Sequence, residues 1–197
     1  MAGANLTSLI LSTITILNAT TKNYNIVNND NSLPEAFHEA GRGLLLVEEA
    51  LQTAKTQLDG RDPGDPQSTS SSLDACYTRA KLSESLFKVV SQAETPRFER
   101  YKMVVRQEGK GNKVEALVKG MLTNVCDLAK DVAIEAAIKG QLKGLRGAIG
   151  KLSTMEPSVP DEGLGHSYTN YGGTQNNNTG SGKQLVDAQF HAPVTFN

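Results

Sequence analysis

Few residues in this sequence have the type and spacing that chemistry needs. Its three histidines, His38, His166 and His191, share no spacing with one another or with the two cysteines, Cys76 and Cys126, which stand 50 positions apart. Zinc sites and disulfide frameworks draw on closely spaced ligands, so these cysteines read as reduced, partly buried thiols. His38 beside Glu39 reads as a solvated side chain on a surface-facing part of a helix, and Glu48-Glu49 as a solvated acidic face rather than an acid/base couple. Gly180-Ser181-Gly182-Lys183 shares its letters with the end of a phosphate-binding loop. Asn177 stands where that loop needs its first glycine, however, and Gln184 follows the lysine where a metal-binding hydroxyl belongs. No Ser-His-Asp or Cys-His constellation emerges. No catalytic, cofactor-binding or metal-ligating residue is therefore assigned, and the expected protein is not an enzyme.

The elements that would have to position any site are helices. Apolar residues recur in steps of three and four through Phe37, Ala40, Leu44, Val47, Leu51, Ala54 and Leu58, which makes one stripe on one helix. Ser32 can cap it, Pro34 suits its first turn, and Glu35 and Glu39 favour the positive end of its dipole. The helix stops at Asp59-Gly60, and residues 61–72, with two prolines and a serine run, read as an exposed loop. Leu73, Cys76, Ala80, Phe87 and Val90 resume the stripe. A shorter helix fits Arg97 to Glu108 after Thr95-Pro96, and Gly109-Lys110-Gly111-Asn112 makes the next turn. Val114, Leu117, Met121, Val125, Leu128 and Val132 mark a long helix continuing through Ile138, Leu142, Leu145, Ile149 and Leu152. Gly140, Gly144, Gly147 and Gly150 each weaken it by about 1 kcal/mol relative to alanine, so a kink or break is expected there.

A first helix is expected from Leu6 to Tyr24. Its apolar run Leu6 to Leu17 spans only about 18 Å against a hydrocarbon core of about 30 Å, which is too short for a constitutive membrane span. Met1 to Asn5 carries no Lys or Arg, unlike a secretory leader, and Ala2 replaces the glycine that myristoylation needs. With 20 basic and 21 acidic side chains, the chain has a net charge of −1. It therefore lacks the global field that holds nucleic acid or an anionic membrane.

The character changes at Pro157. Residues 163–184 hold six glycines, four asparagines and one charge, Lys183. Ordering them alone costs ~22 to 44 kcal/mol of backbone entropy, against at most about 9 from burying Leu164, Tyr168 and Tyr171. In register with copies of itself the same segment has an outlet, because Asn and Gln amides form ladders along a cross-β stack and every backbone group pairs with the chains above and below. Gly172-Gly173-Thr174-Gln175 and Gly180-Ser181-Gly182-Lys183-Gln184 form an approximate repeat around Asn176, Asn177 and Asn178, as two short arcs of a small solenoid would need. The residues assigned to assembly are Tyr171, Gly172, Gly173, Gln175, Asn176, Asn177, Asn178, Gly180, Gly182 and Gln184.

Leu33-Pro34-Glu35-Ala36-Phe37, followed by Leu45-Leu46-Val47-Glu48-Glu49-Ala50-Leu51-Gln52, resembles the signature of the fungal SesA domain. The pattern around Gly109-Lys110-Gly111-Asn112-Lys113-Val114-Glu115 is similar to the same family, and the likeness covers about residues 5–155. The tail run from Gly172 to Gln184 is similar to the sigma prion-like motif of fungal defence systems. This resemblance implies an effector of programmed cell death in heterokaryon incompatibility or innate immunity, activated when an NLR/STAND receptor with a matching motif templates its tail as amyloid. It also implies a relation to HeLo-like domains, whose N-terminal helix is implicated in membrane disruption. Leu6, Leu9, Ile10, Leu11, Ile14 and Leu17 are then the membrane-active candidates, packed in the core at rest.

The expected fold is all-α: a bundle of about five or six helices over residues 1–156, a linker over 157–164, and a disordered Asn/Gly/Gln-rich tail over 165–197 able to form cross-β. The expected partners are the receptor, further copies through the amyloid tail, and the plasma membrane as a further target, with no nucleic acid and no cofactor. The expected location is the cytoplasm, with relocation to the plasma membrane on activation. The alternative is a non-lytic adaptor that binds a STAND receptor or a hydrolase through the bundle.

Overall fold

A computed structural model describes residues 2–58, 66–94, 96–109 and 112–160. The chain divides into two compact units, Met1–Asp161 and Glu162–Asn197, and the described residues belong to the first. Among the described residues that unit is all-α, with six helices: α1 Ala2–Val27, α2 Glu35–Leu58, α3 Pro66–Ser91, α4 Arg97–Glu108, α5 Val114–Leu128 and α6 Val132–Thr154. α1 packs on α2 and α3, α5 packs on the same two from the other side, α6 lies against α2 and α5, and α4 against α3.

The stripes read from the sequence face the core. Leu44, Val47, Leu51 and Ala54 of α2 are fully buried, as are Leu73, Ala80, Phe87 and Val90 of α3. Phe37 and Phe87 meet at 4.8 Å between ring centroids, Tyr24 of α1 stands edge-on to Phe87 at 5.8 Å, and Tyr101 of α4 stands edge-on to Phe37 at 5.2 Å. One aromatic chain thus joins four helices, in the offset and edge-to-face geometry that ring quadrupoles favour. Close approach at its end depends on Gly41, where a Cβ would stand 2.3 Å from the Tyr24 ring.

The α1–α2 turn is built on Asp30. Its carboxylate accepts from the Ser32 amide at 2.9 Å and the Ser32 hydroxyl at 2.6 Å, and Arg97 reaches it from the start of α4 at 3.0 Å. These bonds, Ser32 first and Arg97 next, hold Asp30 down at about 2.

Three sequence expectations are corrected. Residues 66–72, read as part of a loop, form the first two turns of α3; proline is tolerated at a helix start, and the serines and threonine ride on turns that the Leu73 stripe stabilises. The break expected at the α6 glycines falls earlier. Backbone bonds tighten to Ala129 N–H→Cys126 O, Lys130 N–H→Asp127 O and Asp131 N–H→Leu128 O, and Asp131 then caps the new helix by accepting from the Ile134 amide at 3.2 Å. A cap three residues ahead of a free amide nucleates a fresh helix end, whereas glycine only weakens one that packing holds. His38 is buried, with Nε2 3.1 Å from the Asp30 carbonyl and its ring tilted against Tyr24 at 6.2 Å. The α1–α2 turn folds over it, which the α2 stripe alone did not register.

Candidate functional site

The candidate residues fall in two places, α1 and the tail. Along α1 the buried positions are Leu6, Ile10, Thr13, Leu17, Thr20, Tyr24 and Val27, spaced three and four apart as one helix face requires. Of the six membrane-active candidates, Leu6, Ile10 and Leu17 are core residues, Leu9 and Ile14 are partly buried against that core, and Leu11 is 45% exposed. Leu11 therefore does not share the resting core position expected of the set. It points away from the stripe because it sits one residue past Ile10, about 100° round the helix.

α1 carries one charge in 26 residues, Lys22. Five of its polar side chains turn back on its own backbone: Ser12 donates to the Ser8 carbonyl, Thr13 to Leu9, Thr15 to Leu11, Asn18 to Ile14 and Thr20 to Ile16, at 2.8 to 3.0 Å. A hydroxyl bonded to the carbonyl four residues back carries its partner with it wherever the helix goes, so it costs little to take out of water. Tyr24 instead donates to the His38 carbonyl of α2 at 3.2 Å, Asn23 accepts from Ser91 of α3 at 3.2 Å, and Thr21 Oγ1 is buried without a partner. Among the described residues, no helix is long and apolar enough to cross a membrane.

The ten tail residues assigned to assembly, Tyr171 to Gln184, and the Gly180–Lys183 run lie outside the described residues. The stretch just before them does not. Ser158 and Val159 are buried in the bundle. The Ser158 amide donates to Glu115 Oε1 at 3.0 Å and its hydroxyl to Glu115 Oε2 at 2.6 Å, while Tyr101 lies 2.5 Å from the same hydroxyl and accepts from the Val114 amide at 3.2 Å. Ser158 has a single hydroxyl proton and Glu115 takes it, so Tyr101 donates to Ser158. Burial, then the nearby Glu115 carboxylate, pushes the Tyr101 phenol well above its ordinary value.

Sequence reading missed this cluster, since Pro157-Ser158-Val159-Pro160 looks like linker. The one signal was an apolar valine held between two prolines, each of which fixes the backbone at little entropic cost.

Elsewhere the unit offers little for catalysis. An open groove of about 710 Å³ between α3 and α5 is floored by Arg79, which donates to Asn124 Oδ1 at 2.9 Å and to the Ala75 carbonyl at 3.2 Å. It contains no histidine or cysteine. Among the described residues, no group of three or more His, Cys, Asp or Glu could hold a metal ion. Burial pushes the Cys76 thiol up to about 12 and raises that of the half-buried Cys126, which makes both poor nucleophiles at neutral pH. Glu48 and Glu49 accept from Gln52 and Gln141 at the surface.

Comparison with known families gives two matches. The model described as SesA, N-terminal domain on NACHT_NTPase and P-loop NTPases, matches residues 10–128, and that described as NACHT_sigma, sigma domain on NACHT-NTPases, matches residues 156–197. No curated protein matches the chain significantly, and neither does any solved structure.

Proposed function

The chain belongs to the family of SesA domains, and from that premise we propose that it is a cell-death effector of fungal NACHT-controlled incompatibility or innate immunity. A NACHT-type receptor with a matching sigma motif templates residues 165–197 as amyloid, the tails concentrate the bundles, and α1 leaves its place to bury its apolar face in lipid. The observation that carries this reading is the pairing of the two domains on one chain, a SesA match over 10–128 and a sigma match over 156–197. Both domains are described on NACHT NTPases, which links this chain to NACHT-associated signalling. Support for the lipid step comes from α1, whose back-bonded hydroxyls and single lysine lower the cost of taking it out of water. Of the buried cluster, Ser158 stands inside the sigma match, and Glu115 and Tyr101 of the bundle hold it.

A second reading has one observation in its favour. Leu6, Ile10 and Leu17 are fully engaged in the core, so a bundle that never opens would act as a non-lytic adaptor for a STAND receptor or a hydrolase. The test is dye release from liposomes after the full-length protein is seeded with preformed fibrils of residues 165–197. The effector reading expects release only when seeds are present. Seeded fibrils without release at any lipid composition, with signalling intact in cells, overturn it in favour of the adaptor.

A further inference from the structure

Glycine costs a helix about 1 kcal/mol relative to alanine, and inside this bundle the reason for it is visible. A Cβ on Gly43 would stand 2.8 Å from Val118, and one on Gly120 2.3 Å from Arg79 Nε. α6 differs. Nothing lies within 4 Å of a Cβ placed on Gly140, Gly147 or Gly150, and at Gly144 only Leu46, at 4.0 Å. No neighbour within the unit accounts for these four.

The residues between them carry charge. Val132, Ala136, Lys139, Lys143, Arg146 and Gly150 follow one another in steps of four and three, and all are exposed. They form one strip along the outer side of α6, while Ile134, Ile138, Leu142 and Leu145 face the core. The only acid of α6 is Glu135 in its first turn. Elsewhere on the unit Arg42 bridges Glu35 and Glu39, Lys102 meets Glu99 and Lys130 meets Asp127, and on α6 itself Lys151, off the strip, reaches Glu39 at 3.5 Å. Among the described residues, no carboxylate pairs with Lys139, Lys143 or Arg146.

We propose that this strip docks the bundle on an anionic phospholipid surface. It deepens the membrane part of the reading above and does not require α1 to move. A second copy of α6 is a poor occupant, because pairing two such strips brings like charges together. A folded acidic partner would need ridges and grooves to match, and this strip has none: three long cations stand over bare backbone. A plane of headgroups needs no relief. The glycines let the helix axis approach that plane while the lysine and arginine stems splay sideways to reach phosphate. Val132, 79% exposed at the end of the strip, is placed to enter the interfacial layer. With the chain at −1 overall, attraction has to come from such a local strip, falling away within a Debye length.

The experiment is flotation of unseeded full-length protein with vesicles of phosphatidylcholine alone or mixed with phosphatidylserine. Binding is expected on the mixed vesicles only and weakens as salt is raised. Replacing Lys139, Lys143 and Arg146 together by Gln lowers affinity about a hundredfold, while Lys22→Gln changes it less than about twofold. All three cations are exposed, so helicity by circular dichroism stays unchanged in the triple variant. Equal binding to neutral vesicles, no binding to mixed ones, or unaltered binding by the triple variant overturns the proposal. Wild-type protein that binds yet never leaks after seeding leaves the docking strip standing and removes only the α1 step; leakage with strip-independent binding does the reverse.

Discussion

The helical unit and the tail use opposite kinds of information. In the bundle every core position has different neighbours, so Phe37 fits between Phe87 and Tyr101 and nowhere else. In the tail, residues 163–184 offer three large apolar side chains among six glycines and four asparagines, and in the templated stack proposed above the favourable neighbour of each amide is its own copy one rung away. On that proposal one region is specified by heterogeneity within a chain and the other by identity between chains. A substitution should therefore act in one region and be silent in the other.

The largest expected effects come from a matched pair. Asn177→Pro removes a ladder donor and fixes φ in every rung, so seeded fibril formation by the full-length protein is abolished while the thermal unfolding of the bundle is unchanged. Ile10→Asp does the opposite: an unpaired carboxylate in a fully buried position costs about 4 kcal/mol or more, and fibrils of the tail still form. Its neighbour sharpens the contrast, because Leu11→Asp on the exposed side should change stability by less than about 0.5 kcal/mol. Thermal melts and fibril seeding on the same three variants check all of this. A tail substitution that melts the bundle would break the comparison.

A middle-sized effect is expected at the border. Ser158→Ala leaves the buried Glu115 short of a donor and Tyr101 short of an acceptor, at a cost of about 1 to 3 kcal/mol by denaturant unfolding. Truncation after residue 156 should cost more than truncation after 160, since it removes the buried Val159 as well. Equal stability of the two truncations would return Pro157–Pro160 to the linker.

A smaller loss lies wholly inside the bundle. Asp30 is held at about 2, below its ordinary 3.8, by Ser32 and then Arg97. Because the folded value is the lower one, its contribution is complete above about pH 4 and disappears as pH falls toward 2. Asp30→Asn should cost about 1 kcal/mol at neutral pH, after allowance for solvent screening, and flatten the acid limb of the stability curve. Tail assembly should not respond to it.

Much of the fold was legible because it rests on periodicity. The α2, α3 and α5 stripes, the Pro34 start and the interruption at Thr95-Pro96 follow from local rules, and they lead directly to an all-α bundle. The compositional turn at Pro157 falls beside the start of the sigma match at residue 156. What escaped the sequence needed a neighbour from far along the chain. His38 is buried because the α1–α2 turn covers it, and Ser158 belongs to the core because Glu115 and Tyr101, 43 and 57 positions away, meet there. Gly120 and Gly147 look alike in sequence, yet only the first has Arg79 against it. Periodicity reports which side of a helix is apolar. Which polar residue that side encloses, and which small residue faces nothing, depends on how the helices pack, and that is decided by long-range contacts between side chains that no local window contains.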